Sequence, residues 1–495
     1  MTGPVLSYSF AKTHGVLLDP LQVDTAPVCM HLPDAPLPAL IEAQRIAGAL
    51  IRFEAVDAAT FDKALSASYR DSAAEAAQMA DDDSDDLSAL AETAASVDDL
   101  LDQKDDAPVV RLINALLLEA VKDGASDIHI EVEEKRLVVR FRVDGVLRDV
   151  LEPRRALASQ LSSRLKVMGK LDIAEKRLPQ DGRVSLRVGS YDLDVRISTL
   201  PSQFGERVVL RLLDRGQTQL GIAHLGMSER DTNAFNEIVT APEGLVLVTG
   251  PTGSGKTTSL YAALGALNDR QRNILTVEDP IEYSMAGVGQ IQVNSKTDMT
   301  FARGLRAILR QDPDVIMVGE IRDGETAKIA VESAMTGHLV LSTLHTNTAI
   351  GAVSRLIDMG VERFLLAPMI RGLVAQRLVR KLCADCRAPH SVTETDVSLL
   401  AGSLAVGDRV YEANGCEACG GTGYRGRLPL YEIVVATQRL EAMIHEGASE
   451  AALTAEARRT GPGIMQDGAQ KIGAGLTTVQ EVARAVRDDV LAGER

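Results

Sequence analysis

The octapeptide GPTGSGKT occupies residues 250–257 and decides the fold of the chain around it. It directly follows the apolar run LVLVT and precedes a stretch of helical character that starts near Thr258. A glycine-rich turn between a strand and a helix can direct its backbone N–H groups, and the positive end of the helix, at a polyphosphate. The pattern therefore predicts a nucleotide-binding loop in a core of alternating strands and helices.

Each part of this loop has an expected task. The glycines let the backbone curl, Lys256 reaches the β- and γ-phosphates, and the Thr257 hydroxyl binds Mg²⁺. ATP and Mg²⁺ are therefore the predicted ligands of this segment. The residues predicted to bind the nucleotide are Gly250, Pro251, Thr252, Gly253, Ser254, Gly255, Lys256, Thr257 and Thr258.

Two acidic segments follow further strands. Residues 274–283 (ILTVEDPIEY) place Glu278, Asp279 and Glu282 just past an apolar run, and residues 314–323 (DVIMVGEIRD) place Glu320 after another. Hydrolysis needs a carboxylate that holds the metal or orients the attacking water. The general base is therefore either Glu320 or Glu278, and the sequence leaves this choice open.

Histidines and arginines surround these segments. In residues 336–347 (TGHLVLSTLHTN), His338 precedes an apolar strand and His345 follows it, and we expect a ring at one of these ends to sense the γ-phosphate. Arginine suits the charge that develops on a transferred phosphate because its planar fork is always ionised. Candidates in the preceding domain and around the Glu320 strand are Arg196, Arg207, Arg211, Arg303, Arg306, Arg310 and Arg322. Arg207 and Arg211 share one side of their segment whether it forms a helix or a strand.

Four of the five cysteines form two C-x-x-C pairs, and Cys29 stands alone. Cys383, Cys386, Cys416 and Cys419 offer a complete tetrahedral ligand set, which predicts structural Zn²⁺, with catalytic zinc and redox switching as the alternatives. The 29 residues between the pairs exceed the spacing of common zinc ribbons. Arg425 and Arg427 follow the second pair and are expected to approach nucleotide or an acidic neighbouring subunit.

Composition limits the partners. A net charge of −16 disfavours contact with nucleic acid or an anionic membrane, and 3% aromatic residues with no Trp leave few surfaces on which bases could stack. No run of 18 apolar residues and no signal peptide is evident, so we expect a cytoplasmic protein that reaches a membrane only through protein partners.

The predicted fold class is a multidomain α/β protein. A RecA-like P-loop core follows a smaller α/β domain, and a four-cysteine zinc subdomain and a helical C-terminal region come after it. Apolar strands are predicted at residues 244–249, 274–277, 315–318 and 338–342, in a sheet covered on both faces. The expected divisions are an N-terminal domain (1–70), an acidic linker with one helix near residues 90–101 (71–107), the α/β domain (108–215), the P-loop domain (222–380), the zinc subdomain (381–425) and the helical region (426–495).

Assembled, these segments resemble the type II secretion system ATPase family, the cytoplasmic motor of the general secretory pathway, within the wider superfamily of secretion and pilus ATPases. The shared segments are the P-loop, the aspartate box at 276–283, the atypical Walker B segment at 309–323, the histidine box at 336–347, ASDIHIE at 125–131 and the paired C-x-x-C motifs. Val132 departs from the proline of many members, and the acidic linker is longer than usual.

The resemblance implies a homo-hexamer that hydrolyses ATP to drive pseudopilus assembly and export of folded proteins across the outer membrane. Its implied partners are the cytoplasmic domain of a bitopic inner-membrane platform protein and a polytopic inner-membrane platform protein. Residues 7–18 (SYSFAKTHGVLL) resemble the segment that docks onto the bitopic partner. The residues that match family arginines at the nucleotide or subunit interface are Arg196, Arg211, Arg306, Arg310, Arg322 and Arg427.

Three alternatives remain beside the secretion motor. One is a type IV pilus assembly ATPase, which usually carries a different N-terminal region. Another is an assembly scaffold that binds ATP with little hydrolysis. A nucleic-acid translocase would need a basic pore, against which the overall charge argues.

Overall fold

The computed structural model describes residues 6, 14–19, 28–33, 35–47, 51–57, 60, 61, 87, 108–214 and 221–492. Residues 7–13 of the predicted docking segment and the predicted helix at 90–101 lie outside these ranges. No helix in the described ranges combines the length and the apolar character needed to cross a bilayer.

The described N-terminal residues form a small three-stranded sheet with one helix. Its elements are β1 (Val16–Asp19), β2 (Val28–His31), α1 (Leu37–Ala47) and β3 (Arg52–Ala55). Strand β2 pairs antiparallel with β1 and parallel with β3. Cys29 is buried in the hydrophobic cluster of this sheet. Burial also raises the pKa of its thiol to about 11, which agrees with an unreactive core residue.

A six-stranded sheet follows, in the order β6-β5-β4-β9-β8-β7. Its segment contains α2 (Pro108–Lys122), β4 (Ala125–Val132), β5 (Leu137–Val143), β6 (Val146–Leu151), α3 (Leu157–Met168), β7 (Gln180–Val188), β8 (Tyr191–Ser202) and β9 (Gly205–Asp214). Helix α2 begins at Pro108 and ends at Lys122, and Gly124 has a φ of +68° just past its end. Arg207 and Arg211 lie on strand β9, so the strand alternative holds for them.

The third sheet has seven strands in the order β12-β11-β13-β14-β10-β15-β18. The strands from here on are β10 (Gly244–Thr249), β11 (Ile274–Glu278), β12 (Val288–Gln292), β13 (Val315–Val318), β14 (Leu339–Leu344), β15 (Ile370–Leu382), β16 (Ala388–Ser391), β17 (Arg409–Glu412) and β18 (Tyr424–Val435). All neighbours in the seven-stranded sheet pair in parallel except β15 and β18. Strands β16 and β17 form a separate antiparallel pair.

Helices of the P-loop domain and the C-terminal region complete the chain. They are α4 (Glu229–Val239), α5 (Lys256–Leu267), α6 (Phe301–Ile308), α7 (Gly324–Met335), α8 (Gly351–Asp358), α9 (Arg363–Leu366), α10 (Glu394–Leu399), α11 (Gln438–Glu446), α12 (Glu450–Thr460), α13 (Ile464–Gly473) and α14 (Val479–Ala492). The predicted fold class is thus confirmed, including the helical C-terminal region. The expected divisions at 380/381 and 425/426 fall inside β15 and β18, because these two strands form one long antiparallel ladder.

Burial explains why the central strands carry continuous apolar runs. Every residue of β10, β13 and β14 is buried. Along β10, Leu245 and Leu247 enter one hydrophobic cluster, whereas Val246 and Val248 enter another. Successive side chains of a strand point to opposite faces, so both faces of the sheet are covered. Full burial of one Val or Leu side chain stabilises the fold by about 1.5–3 kcal/mol, so the apolar residues of β10 hold the elements packed against it firmly in place.

Candidate nucleotide site and cysteine cluster

The predicted phosphate-binding loop (residues 250–257) joins the carboxyl end of β10 to the start of α5. Gly250, Gly253 and Gly255 have φ values of +149°, +79° and +88°, a region that side-chain-bearing residues rarely adopt. At Gly250 a Cβ would also lie 2.4 Å from the Gln376 carbonyl oxygen, so no other residue fits there. At Gly253 a Cβ would meet no described atom within 4 Å, which leaves that face of the loop open.

Two polar groups of the loop suit a polyphosphate. Lys256 Nζ donates to the carbonyl oxygens of Gly250 at 2.7 Å and Pro251 at 3.0 Å. Burial lowers the pKa of this lysine to about 8, although the Glu320 carboxylate opposes the shift. Ser254 Oγ is buried and has no hydrogen-bond partner among the described residues. A phosphate oxygen would provide that partner, so the loop fits the group that the sequence predicts.

Glu278 is enclosed at the end of β11. Its side chain is 3% exposed and accepts hydrogen bonds from Tyr261 Oη, from Thr276 Oγ1 at 2.6 Å and from Gln290 Nε2 at 3.1 Å. Burial and the nearby carboxylate together raise the pKa of Tyr261 well above its usual range. Three donors and little exposure make Glu278 a fixed structural acceptor in this structure.

Glu320 lies in a more open position, two residues past β13. It forms an ion pair with Arg322, and His345 Nε2 lies 3.3 Å from its Oε2. Arg322 also lies 3.5 Å from Asp279, which ties the two acidic segments together. The ion pair raises the pKa of Arg322. Glu320 is therefore partly exposed, has Arg322 and His345 as neighbours, and acts on Lys256 through its charge.

The two histidines of the predicted box lie at opposite ends of β14. His345 follows the carboxyl end and reaches Glu320, as stated above. His338 precedes the amino end, where its Nδ1 lies 2.8 Å from Ser333 O and 3.1 Å from Thr336 Oγ1. Parallel strands bring only their carboxyl ends to the edge that carries the phosphate-binding loop. In this structure the His338 ring contacts the end of α7 at the amino end of β14, and His345 is the histidine of the box that lies near Glu320.

The arginines divide into two groups. Arg196 approaches the site, because its guanidinium donates to Glu282 Oε2 at 2.8 Å and to Ile281 O at 3.3 Å. Arg183, which the sequence reading missed, donates to Ile281 O at 3.2 Å. The remaining candidates have other partners: Arg207 pairs with Glu131, Arg211 with Asp127, Arg303 with Asp298, Arg306 with Glu325, Arg310 with Arg306 O, and Arg427 with Asp144.

Sequence reasoning also missed several polar residues that shape the site. Tyr261 lies on α5, five residues after Lys256, and its hydroxyl donates to Glu278 at the end of β11. Gln290, Gln376 and Arg377 come from β12 and β15, which carry no motif, so nothing in the sequence singles them out.

The four predicted cysteine ligands come together. Their sulfur atoms all lie within 4.8 Å of one another. The Sγ–Sγ distances are 3.9 Å for Cys383–Cys416, 3.9 Å for Cys386–Cys419 and 3.7 Å for Cys416–Cys419. Four sulfurs at the Zn–S bond length would be about 3.8 Å apart in a tetrahedron. The backbone N–H groups of Cys416 and Gly423 donate to Cys419 Sγ and lower its pKa to about 6, which favours the thiolate at that position. Burial instead raises the pKa of the Cys386 and Cys416 thiols.

The chain is similar to known proteins over most of its length. Residues 102–484 match the family model "Type II/IV secretion system protein", and residues 5–69 match the model of an N-terminal domain of GSPII protein E. The Type II secretion system protein E of Pseudomonas aeruginosa is 57% identical, with 98% of this chain and 96% of the relative covered. The Type II secretion system ATPase E of Vibrio cholerae serotype O1 is 50% identical, with 98% and 97% covered.

A solved structure supports the same fold. The crystal structure of the pilus retraction motor PilT with bound ADP superimposes with a TM-score of 0.54 at 26% identity. The match covers 77% of this chain and 99% of PilT.

Proposed function

This chain belongs to the type II secretion system protein E family, and on that premise we propose that it is a Mg-ATP hydrolase that powers the assembly of a secretion pseudopilus. The observation that carries the proposal is the edge formed by the carboxyl ends of β10, β11, β13 and β14. Glu278 is the last residue of β11, and the phosphate-binding loop, Glu320 and His345 follow β10, β13 and β14. These four strands are neighbours and pair in parallel. A loop that holds phosphates thus lies beside an acid able to activate water.

The loop would bind the triphosphate through its backbone N–H groups and the ammonium group of Lys256. To do so, Lys256 exchanges the carbonyl oxygens of Gly250 and Pro251 for phosphate oxygens. Thr257 would hold Mg²⁺ through its hydroxyl, and the ion would neutralise charge on the β- and γ-phosphates. Arg196, released from Glu282, would supply further positive charge.

We assign the general base to Glu320 rather than Glu278. A base must reach a water molecule, and Glu320 is partly exposed, whereas Glu278 already accepts from Tyr261, Thr276 and Gln290. His345 and Arg322 would hold the Glu320 carboxylate in place. Glu278 would fix the aspartate box at the end of β11.

Replacing Lys256 tests this function. Lys256→Ala in the full chain is expected to abolish turnover, because the loop loses the cation that stabilises the transferred phosphate. Lys328→Ala, an exposed lysine on α7, is the matched control and should keep the wild-type rate. Full turnover by Lys256→Ala would contradict the proposal.

We further propose that the four cysteines bind one structural Zn²⁺ per chain. Metal analysis of the purified chain should find zinc, and Cys416→Ser should lose it because a tetrahedral site needs all four ligands. Cys29→Ser removes a buried cysteine outside the cluster and should keep the metal. A zinc-free wild-type chain whose four thiols remain accessible to reagents would refute this assignment.

The working assembly would be a homo-hexamer on the cytoplasmic side of a bacterial inner membrane. Its partners would be the cytoplasmic domain of a bitopic platform protein, bound through residues 1–70, and a polytopic platform protein. Adding the bitopic partner's cytoplasmic domain to the full chain should raise the ATPase rate. A chain that begins at residue 108 should not respond, and an equal response would place the docking surface elsewhere.

A further inference from the structure

We propose that Gln376 and Arg377, two buried residues of β15, are positioning residues that hold the phosphate-binding loop in its receptive shape. The inference deepens the proposed function and rests on it. Strand β15 pairs in parallel with β10, and Ala375 lies opposite Thr249, the last residue of that strand. The next two residues of β15 therefore pass directly beside the loop.

Gln376 contacts the loop at both of its ends. Its carbonyl oxygen lies 2.4 Å from where a Cβ on Gly250 would be, and its Nε2 lies 2.8 Å from the corresponding position on Gly255. Real Cβ atoms essentially never come this close to another heavy atom. The two glycines are thus packed directly against Gln376, which spans the loop from its first glycine to its last.

The amide of Gln376 is oriented by a second buried residue. Ser259 Oγ, on the first turn of α5, donates to Gln376 Oε1 at 2.8 Å. Gln376 is 3% exposed and Ser259 is fully buried, so water does not compete for this hydrogen bond. The bond turns the nitrogen of the amide towards Gly255. The Gln376 side chain therefore contacts both the first turn of α5, through Ser259, and the last glycine of the loop, Gly255.

Arg377 connects the loop to the segment that carries His345. Its guanidinium donates to Gln376 O at 3.0 Å and to Asn347 O at 2.8 Å, and the residue is 2% exposed. Asn347 lies two residues after His345, whose ring reaches Glu320. Arg377 also lowers the pKa of Lys256 through its charge, which places it within electrostatic reach of the site.

A phosphate-binding loop depends on this kind of support. Its N–H groups bind a phosphate group tightly only when they already point in fixed directions before the nucleotide arrives. Such groups are held by the packing and hydrogen bonds of the residues behind them. Loosening Gln376 should therefore weaken nucleotide binding more than it weakens the fold.

Two matched pairs of variants test the inference in the full chain. Ser259→Ala removes the donor to Gln376, whereas Ser333→Ala removes a buried serine of α7 that donates only to Ile329 O of its own helix. Arg377→Lys loses the two hydrogen bonds from the guanidinium to Gln376 O and Asn347 O. Arg371→Lys is its control, because Arg371 lies near the amino end of β15 and also donates to two backbone carbonyl oxygens. Calorimetry with Mg-ADP gives the Kd, steady-state kinetics give KM and kcat, and thermal unfolding gives Tm.

We expect Ser259→Ala and Arg377→Lys to raise the Kd and KM about fivefold or more, the effect of losing about one buried hydrogen bond. Values of kcat at saturating ATP should stay close to wild type, and Tm should fall only slightly, as expected for one lost buried hydrogen bond. Both control variants should match the wild-type Kd and KM. Gln376→Glu should weaken Mg-ADP further, because it sets a carboxylate beside the loop. If that variant fails to fold, Ser259→Ala still decides the question.

Other results would overturn the inference. Unchanged Kd and KM in Ser259→Ala and Arg377→Lys would do so, as would a loss of Tm and kcat with KM unchanged, which indicates a structural role only. If wild type binds Mg-ADP and the variants match it, the inference alone fails. If wild type binds no nucleotide, both the inference and the proposed function fail.

Discussion

The carboxyl ends of β11 and β13 lie side by side in one sheet, and each carries a glutamate, yet the two glutamates have opposite surroundings. Glu278 is buried beneath Tyr261 and accepts from three donors. Glu320 is partly exposed and has cationic or titratable neighbours in Arg322 and His345. The comparison teaches that position at a strand end brings an acid to the site, whereas its neighbours decide what it can do.

Replacing Glu320 should have the largest effect. Glu320→Gln is expected to lower kcat about a hundredfold or more, because it removes the group that accepts the proton of the attacking water. The Kd for Mg-ATP and the Tm should stay close to wild type, since the loop remains intact. Steady-state kinetics and calorimetry on the full chain measure both quantities. Loss of nucleotide binding along with turnover would show that Glu320 acts as a binding residue instead.

Glu278→Gln should act mainly on stability. The glutamine amide would place an N–H₂ donor opposite a group that now donates to Glu278, either a hydroxyl or the Gln290 amide. A buried donor left without an acceptor costs about 1–3 kcal/mol. The Tm should fall, while kcat of the folded chain should drop much less than in Glu320→Gln. Denaturant unfolding and kinetics at low temperature check this. A hundredfold loss of kcat without a loss of Tm would reverse the roles of the two acids.

The pH dependence of nucleotide binding should sharpen the comparison further. The pKa of Lys256 is about 8 because the lysine is buried, and only its protonated form attracts phosphate strongly. The Kd for Mg-ATP should therefore rise about tenfold between pH 7.5 and pH 9. Glu320→Gln removes a negative charge that raises the pKa of Lys256, so in this variant the Kd should start to rise at a lower pH. In Glu278→Gln the Kd should rise over the same pH range as in wild type.

The same shift predicts a trend in stability without nucleotide. The unfolded chain keeps the lysine proton up to its ordinary pKa of 10.5, whereas the folded chain releases it near 8. Stability from this group therefore increases as pH rises between those values and is lost as pH falls back through them. Calorimetry and unfolding at several pH values measure both effects. Identical midpoints for the two glutamate variants would argue against a link between Glu320 and Lys256.

Much of this site could be predicted from short-range patterns. The loop at 250–257 needs glycines because its backbone is curled, and the neighbouring strands need apolar runs because both faces are covered. The paired cysteines could be predicted for a similar reason, since metal coordination restricts residue type. Each of these constraints restricts residue type at fixed positions within short segments and so appears in the sequence.

What could not be predicted depends on contacts between distant segments. Glu278 and Glu320 look alike in sequence because Tyr261 and Gln290, which distinguish them, lie on other elements. His338 and His345 both flank β14, and only the parallel arrangement of the sheet shows which one faces the loop. Gln376 belongs to no motif, because its role comes from the pairing of β15 with β10. The domain limits remain predictions.

The most direct test of the central claim is a rapid-quench measurement of a single turnover of Mg-ATP on wild type, Glu320→Gln and Glu278→Gln. It observes the chemical step itself rather than product release. We expect Glu320→Gln to bind ATP and leave it uncleaved, while folded Glu278→Gln cleaves it at a rate within about tenfold of wild type. Cleavage by Glu320→Gln at the wild-type rate would contradict the account.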